Sequence, residues 1–239
     1  MDLNKILQSR QNRSERLGRP FKIFYESFAQ CAKAGELILE GELNTEVANL
    51  LERSAVITTV TSIEVYYKDL LSLIFKSCEP SFFEPHLKQL HSEKYDVAEI
   101  LEFYEHNVHP LDIVLASQSF QNIDRIDRVF SKFLPKGGLW SNVIGMQIRL
   151  KDQPGTESTF EESSLTKLKM LFDLRHELVH DPVRRSFFTE DTLDWMYCSA
   201  HMVAGTDILL GQSIVSNLNP DFKRMLEQKE ALRESNLIR

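Results

Sequence analysis

The chain has 239 residues, 42% of them hydrophobic, and a formal net charge of −7. That length can bury a sizeable core, and the acidic balance argues against broad, non-specific nucleic-acid binding, which needs a basic surface; a local basic cleft is still open to it. Cys31, Cys78 and Cys198 are odd in number, far apart and in no Cys-x-x-Cys pair, so neither a disulfide framework nor a thiolate zinc site is expected.

A reducing cytoplasm fits that cysteine usage. The N-terminal stretch has no apolar run resembling a signal sequence, and no segment approaches bilayer-spanning length, so a soluble protein with no membrane partner is expected. Only 9 Gly and 8 Pro interrupt a chain rich in Leu, Glu, Lys and Ile, which predicts a mostly helical fold.

Residues 1–19 are polar and read as a loosely held helix or arm. Pro20 suits a first helical turn, and the run to Gly41 carries Phe21, Phe24, Phe28, Cys31, Leu37 and Leu39 as its apolar set. Asn44 is placed to cap the next helix, from Thr45 to about Phe75, with Glu46 in the favourable first turn. A helix of that length would be the spine of a bundle. Glu64 and Lys68 lie on it at i and i+4, on one face.

The segment around Phe82, with prolines bracketing two aromatics, reads as a loop, and 86–108 as a further helix. Pro110 opens another, to about Leu134, through Phe120, Ile123, Ile126, Val129, Phe130 and Phe133. Arg125, Arg128, Lys132 and Lys136 are interleaved there with Asp124 and Asp127, as on a solvated face. A short helix is expected over 139–150 and an exposed loop over 151–163. Helices follow over 190–210 and 220–239, the last fraying at its end. The expectation is one all-α domain over 1–239, an up-and-down helical bundle with extra N-terminal and C-terminal helices and its core at about 45–210.

The stretch from Leu165 to Arg185 concentrates the reactive side chains. Leu165, Leu168, Leu171, Phe172, Leu174, Leu178 and Val179 recur at helical spacing, and Pro182 stops the helix just after Arg175, His176, Glu177, His180 and Asp181. Two motifs overlap there. His176-Glu177-Leu178-Val179-His180 satisfies the zinc-hydrolase pattern, with two histidines one turn apart as ligands and Glu177 as the base; chance supplies such a match about 0.02 times in this composition. Arg175 and His180 form an Arg-x-x-x-x-His pair, which chance supplies about 0.4 times, so context must decide.

For zinc the context is poor. No strand is evident upstream of Leu165, Val183 stands where a Gly-x-x-His continuation would begin, and nothing selects a third ligand among Glu190, Asp191, Asp194 and His201. A bundle whose penultimate long helix ends in Leu-Arg-His-x-x-Val-His-Asp, after an early helix with Glu64 and Lys68, resembles the HEPN superfamily. Arg175, His176 and His180 match its signature of Arg, a polar residue, and His four to six positions beyond the Arg. Glu64 and Lys68 look like a pair found in some branches.

The resemblance implies a metal-independent endoribonuclease, commonly a toxin or antiviral effector, needing no cofactor and acting as a homodimer that joins both Arg-His pairs. Its partners would be RNA and an antitoxin or other defence-system protein. His180 would move a proton at the ribose 2′-hydroxyl or the leaving 5′-oxygen, Arg175 would hold the scissile phosphate, and His176 would orient the substrate. Arg184 and Arg185 would contact flanking phosphates. Pro182 replaces the tyrosine that some members modify with nucleotide, so that regulation is not expected. In a second reading the chain is a non-catalytic interaction module, in which Arg175 caps helix carbonyls or pairs with Asp173 or Asp181.

Overall fold

The computed structural model describes residues 3–16, 18–149, 157–181, 183 and 188–237. Its elements, in chain order, are α1 (Leu3–Arg16), α2 (Pro20–Glu40), α3 (Thr45–Ser77), α4 (Pro80–Leu90), α5 (Val97–Glu105), α6 (Pro110–Ser117), α7 (Ile123–Phe130), α8 (Leu139–Val143), β1 (Gln147–Arg149), β2 (Glu157–Thr159), α9 (Glu162–His180), α10 (Glu190–Ser216) and α11 (Pro220–Leu237). The fold is all-α, with a single two-stranded hairpin among the described residues.

The frame is an up-and-down bundle of α2, α3, α9 and α10. Gly41, at φ 74°, ends α2 in the left-handed conformation that glycine adopts without strain, and Asn44 starts α3 by accepting a 2.9 Å bond from the Val47 N–H. Tyr66 and Tyr67 of α3 reach Asp207 and Thr206 of α10 in mid-bundle, and Cys78 bridges Leu218 at one end, so α3 and α10 run in the same direction. Both tyrosines are fully buried, and these partners satisfy hydroxyls that would otherwise be stranded. Phe120, Phe130 and Phe133 extend the same core toward α7.

Five local expectations change. The N-terminal segment is a helix, as one of the two expectations had it, but docked rather than loosely held: Ile6 is buried against Phe103, Val108 and Ile113, Arg13 pairs with Asp112 at 3.0 Å out of solvent, and Arg16 holds both Asp69 oxygens. Burying one isoleucine contributes about 1.5–3 kcal/mol, and the two ion pairs add to what holds the helix in place. The segment around Phe82 is helical, because Pro80 occupies the first turn, where its missing N–H costs nothing. The run 86–108 is two helices; the second restarts at Asp96, whose side chain and that of Glu99 form a reciprocal capping box. The run after Pro110 also breaks, at Gln118, and restarts at Asn122, which caps the Arg125 N–H.

The fifth concerns 139–163. Only Leu139–Val143 is helical; Gln147–Arg149 then pairs antiparallel with Glu157–Thr159, so a strand pair does lie upstream of α9. Phe160, just beyond it, is fully buried and stacks on His201 at 4.1 Å between ring centroids. The expected loop is therefore pinned at its C-terminal side; 150–156 lie outside the described residues. Among the described residues no helix is long and apolar enough to cross a membrane.

Candidate functional site

Helix α9 buries Leu168, Leu171, Phe172, Leu174 and Leu178. The same pitch places Lys169, Asp173, His176 and His180 along the opposite edge, at i, i+4, i+7 and i+11. His176 and His180 are exposed and stand 4.5 Å apart between ring centroids, at 59°. The helix ends at His180: Asp181 has left helical geometry at φ −115°, ψ 88°, while its N–H still bonds the Glu177 carbonyl at 2.8 Å.

The last carbonyls of a helix have no partner within it. Arg53, from the third turn of α3, reaches across: Nη1 donates to the Leu178 carbonyl and Nη2 to the Asp181 carbonyl at 3.0 Å. A guanidinium at a helix C-terminus also meets the negative end of the helix dipole. These two bonds bracket His180 and fix the turn that carries it.

Arg175 is thereby released from the capping role. Arg175 is half-buried, and its Nε is shielded from solvent with no hydrogen-bond partner among the described residues. A buried donor without an acceptor costs about 1–3 kcal/mol, more when charged. Arg175 lines a cleft of about 430 Å³ between the polar edge of α9 and the chain entering α7, with Lys169, Asp173 and His176 on one wall and Gln121, Asn122 and Asp124 on the other. His180 lies beyond this lining, about 6 Å farther along the axis than His176 on the same edge, and so flanks the mouth.

The other expected residues fall as follows. Glu64 and Lys68 do pair, at 3.1 Å, but with each other. Glu64 lies eleven residues beyond Arg53, about 16 Å along α3, and the structure records no bond joining the pair to Arg175 or His180. Arg184 and Arg185 lie outside the described residues, as does Pro182. Glu177 is exposed beside the two histidines. Of the third-ligand candidates, Asp194 pairs with Lys167 at 2.7 Å and His201 is packed on Phe160. Among the described residues no group of three or more His, Cys, Asp or Glu side chains could hold a metal ion. Arg125 and Lys132 are structural ties, to Gln118 and Gln89.

A family model described as RiboL-PSP-HEPN matches residues 27–200, well over half of the chain. The chain belongs to the RiboL-PSP-HEPN family. The match begins within α2 and ends within α10, so the bundle and the Arg175–His180 turn both fall inside the HEPN region, while α1 and α11 lie outside it. No curated protein and no solved structure matches this HEPN chain.

Sequence reasoning missed Arg53 and the 121–124 wall of the cleft. Nothing local in the sequence marks Arg53, because its partners lie 125 and 128 residues away. The polar stripe from Lys169 to His180 was available from its spacing alone.

Proposed function

We propose that this HEPN protein is a metal-independent endoribonuclease that acts as a homodimer, with Arg175 and His180 as its catalytic residues. The observation that carries the reading is Arg175, half-buried in the wall of a polar cleft beside exposed His176, with its Nε lacking an acceptor among the described residues and exposed His180 one turn farther along α9. A phosphodiester entering the cleft would offer acceptors to the guanidinium of Arg175, whose planar fork suits two-point contact with phosphate oxygens.

In the proposed reaction the ribose 2′-oxygen attacks the adjacent phosphorus and the bond to the 5′-oxygen breaks. A 2′,3′-cyclic phosphate and a 5′-hydroxyl result. One imidazole takes the 2′-hydroxyl proton and another delivers a proton to the leaving oxygen, while Arg175 stabilises the charge gathered on the phosphoryl oxygens. Two His180 side chains, one from each copy, supply the base and the acid; His176 orients the chain. Val179, Val183, Val47 and Leu50 are exposed apolar residues near the end of α9 and the start of α3, and they are candidates for the contact with a second copy. The biological role is that of a toxin or antiviral effector, restrained by a partner protein.

The test is cleavage of total RNA by the purified chain in EDTA. Wild type should cut, and Arg175→Ala and His180→Ala should each lose about 100-fold or more in rate while keeping the native circular dichroism spectrum. Equal cleavage by wild type and His180→Ala overturns the assignment. Activity lost in EDTA and restored by zinc would transfer His176 and His180 to a metal mechanism with Glu177 as base. In cells, growth arrest by wild type but not by Arg175→Ala supports the toxin role; arrest by both contradicts it.

A further inference from the structure

Helix α5 presents an apolar face to solvent. Val97, Ile100, Leu101 and Tyr104 recur at i, i+3, i+4 and i+7 and are all exposed, Val97 at 73% and Tyr104 at 80%, while Phe103 alone anchors the helix to a small satellite core with Ile6, Val108 and Ile113. Beside that face runs an apolar cleft of about 730 Å³, walled by α4, α5 and α6, to which Ile100, Tyr104 and Leu87 contribute. A large hydrophobic stripe continuous with a cleft is uncommon on the free surface of a protein and marks a docking site.

The occupant can be narrowed on three grounds. Val97 and Leu101 lie on the stripe but outside the cleft lining, so the apolar surface is longer than a molecule seated in the cleft would cover. The walls are α4, α5 and α6 with the non-helical chain 91–95 between the first two, and no strand lines the cleft, which favours a helix laid in a groove over an added strand. The margin is acidic: residues 93–105 hold Glu93, Asp96, Glu99, Glu102 and Glu105 against Lys94 alone, and the helical pitch sets Glu105 beside the stripe with Glu102 farther round the same side. Lys88, from α4, is the lysine in the cleft lining. Such a border repels anionic lipid and attracts Lys and Arg.

We propose that the α5 face and its cleft bind an amphipathic helix of a partner protein, one with apolar residues at i, i+3, i+4 and i+7 and basic residues along one flank. The patch is separate from the candidate active site: α6, on the cleft wall, packs by Arg13–Asp112 and Arg16–Asp69 onto the far half of α3, and Asp69 is sixteen residues, about 24 Å of helix, from Arg53. Binding there would leave the Arg175 cleft open.

The test uses the full chain and a fluorescein-labelled 18-residue peptide of Leu and Lys only, with Leu at those four helical positions in each repeat. Controls are the same peptide with Glu for Lys, and a Leu/Lys peptide of identical composition in scrambled order. The patterned basic peptide should bind at micromolar concentration and gain helicity. Leu101→Ser with Tyr104→Ser, and separately Glu102→Lys with Glu105→Lys, should each weaken it at least 10-fold. Glu40→Lys with Glu42→Lys, an equal charge change on exposed residues at the other end, should leave binding within 2-fold. Equal binding by all variants, equal affinity for the scrambled or acidic peptide, or loss of self-association in Leu101→Ser with Tyr104→Ser would each overturn the proposal. Adsorption of the wild type to phosphatidylcholine vesicles, abolished in that same double variant, would overturn it in favour of a lipid surface.

Discussion

Replacing Arg53 by Ala should loosen the turn that carries His180 while leaving the bundle folded. Arg53 donates to the Leu178 and Asp181 carbonyls from a partly exposed position. Charge-assisted hydrogen bonds contribute about 1.5–3 kcal/mol each when buried, and solvent at Asp181 lowers that, so about 2 kcal/mol is expected for the pair. Released carbonyls at a helix end can turn to water, so the loss falls mainly on the last turn. Two kcal/mol corresponds to about 30-fold faster amide exchange, read by mass spectrometry on peptides covering 175–183, against little change in the midpoint of α3 or α10. Arg53→Lys should recover only part of the protection, because a single ammonium cannot span both carbonyls as the guanidinium fork does. Under the proposed function, RNA cleavage by Arg53→Ala should fall chiefly in kcat. Unchanged exchange over 175–183 in Arg53→Ala would refute the clamp.

Three further outcomes follow from packing and ionisation. Arg13→Ala leaves the Asp112 carboxylate buried without its partner and should cost about 3–5 kcal/mol in urea unfolding; a loss under 1 kcal/mol would mean that α1 is not docked as described. Gly205→Ala sets a methyl 2.8 Å from Phe160 and Val143 ring and side-chain atoms, and should destabilise by about 1–3 kcal/mol, reversed in part by Phe160→Leu. His201, desolvated against Phe160, has its pKa lowered below the usual 6.5, so the unfolded chain takes up this proton first; stability should fall as pH drops below 6.5, and His201→Gln should flatten that part of the urea midpoint profile.

The α9 stripe, the Asn44 cap, the Gly41 stop and the long α3 were legible because each rests on local periodicity or on one residue's backbone preference. What was illegible depended on distant partners. Residues 1–19 look like a loosely held helix or arm until Asp112 and Asp69 are brought to Arg13 and Arg16. Phe160 sits in a polar stretch whose burial is decided by Gly205, 45 residues on, which leaves room for its ring. The break before α5 had a readable signal, Asp96 and Glu99 at capping-box spacing, which the continuous apolar pattern overrode.

The same division holds at the candidate site. Arg175, His176 and His180 are named by spacing, and the end of the helix by Pro182. That Arg53, and not Arg175, takes the carbonyls of Leu178 and Asp181 is decided by the packing of α3 on α9, which no local pattern announces. The Glu64–Lys68 pair shows the converse: the spacing correctly gave an ion pair, and no bond in the structure ties it to the catalytic candidates.

The most direct test of the proposed chemistry is cleavage, in EDTA, of a defined RNA and of the same oligonucleotide with a single 2′-deoxy nucleotide at the mapped cut. The account predicts 2′,3′-cyclic phosphate and 5′-hydroxyl ends from the all-ribose strand and no cut at the 2′-deoxy position. A 5′-phosphate product, or undiminished cutting at that position, would contradict it.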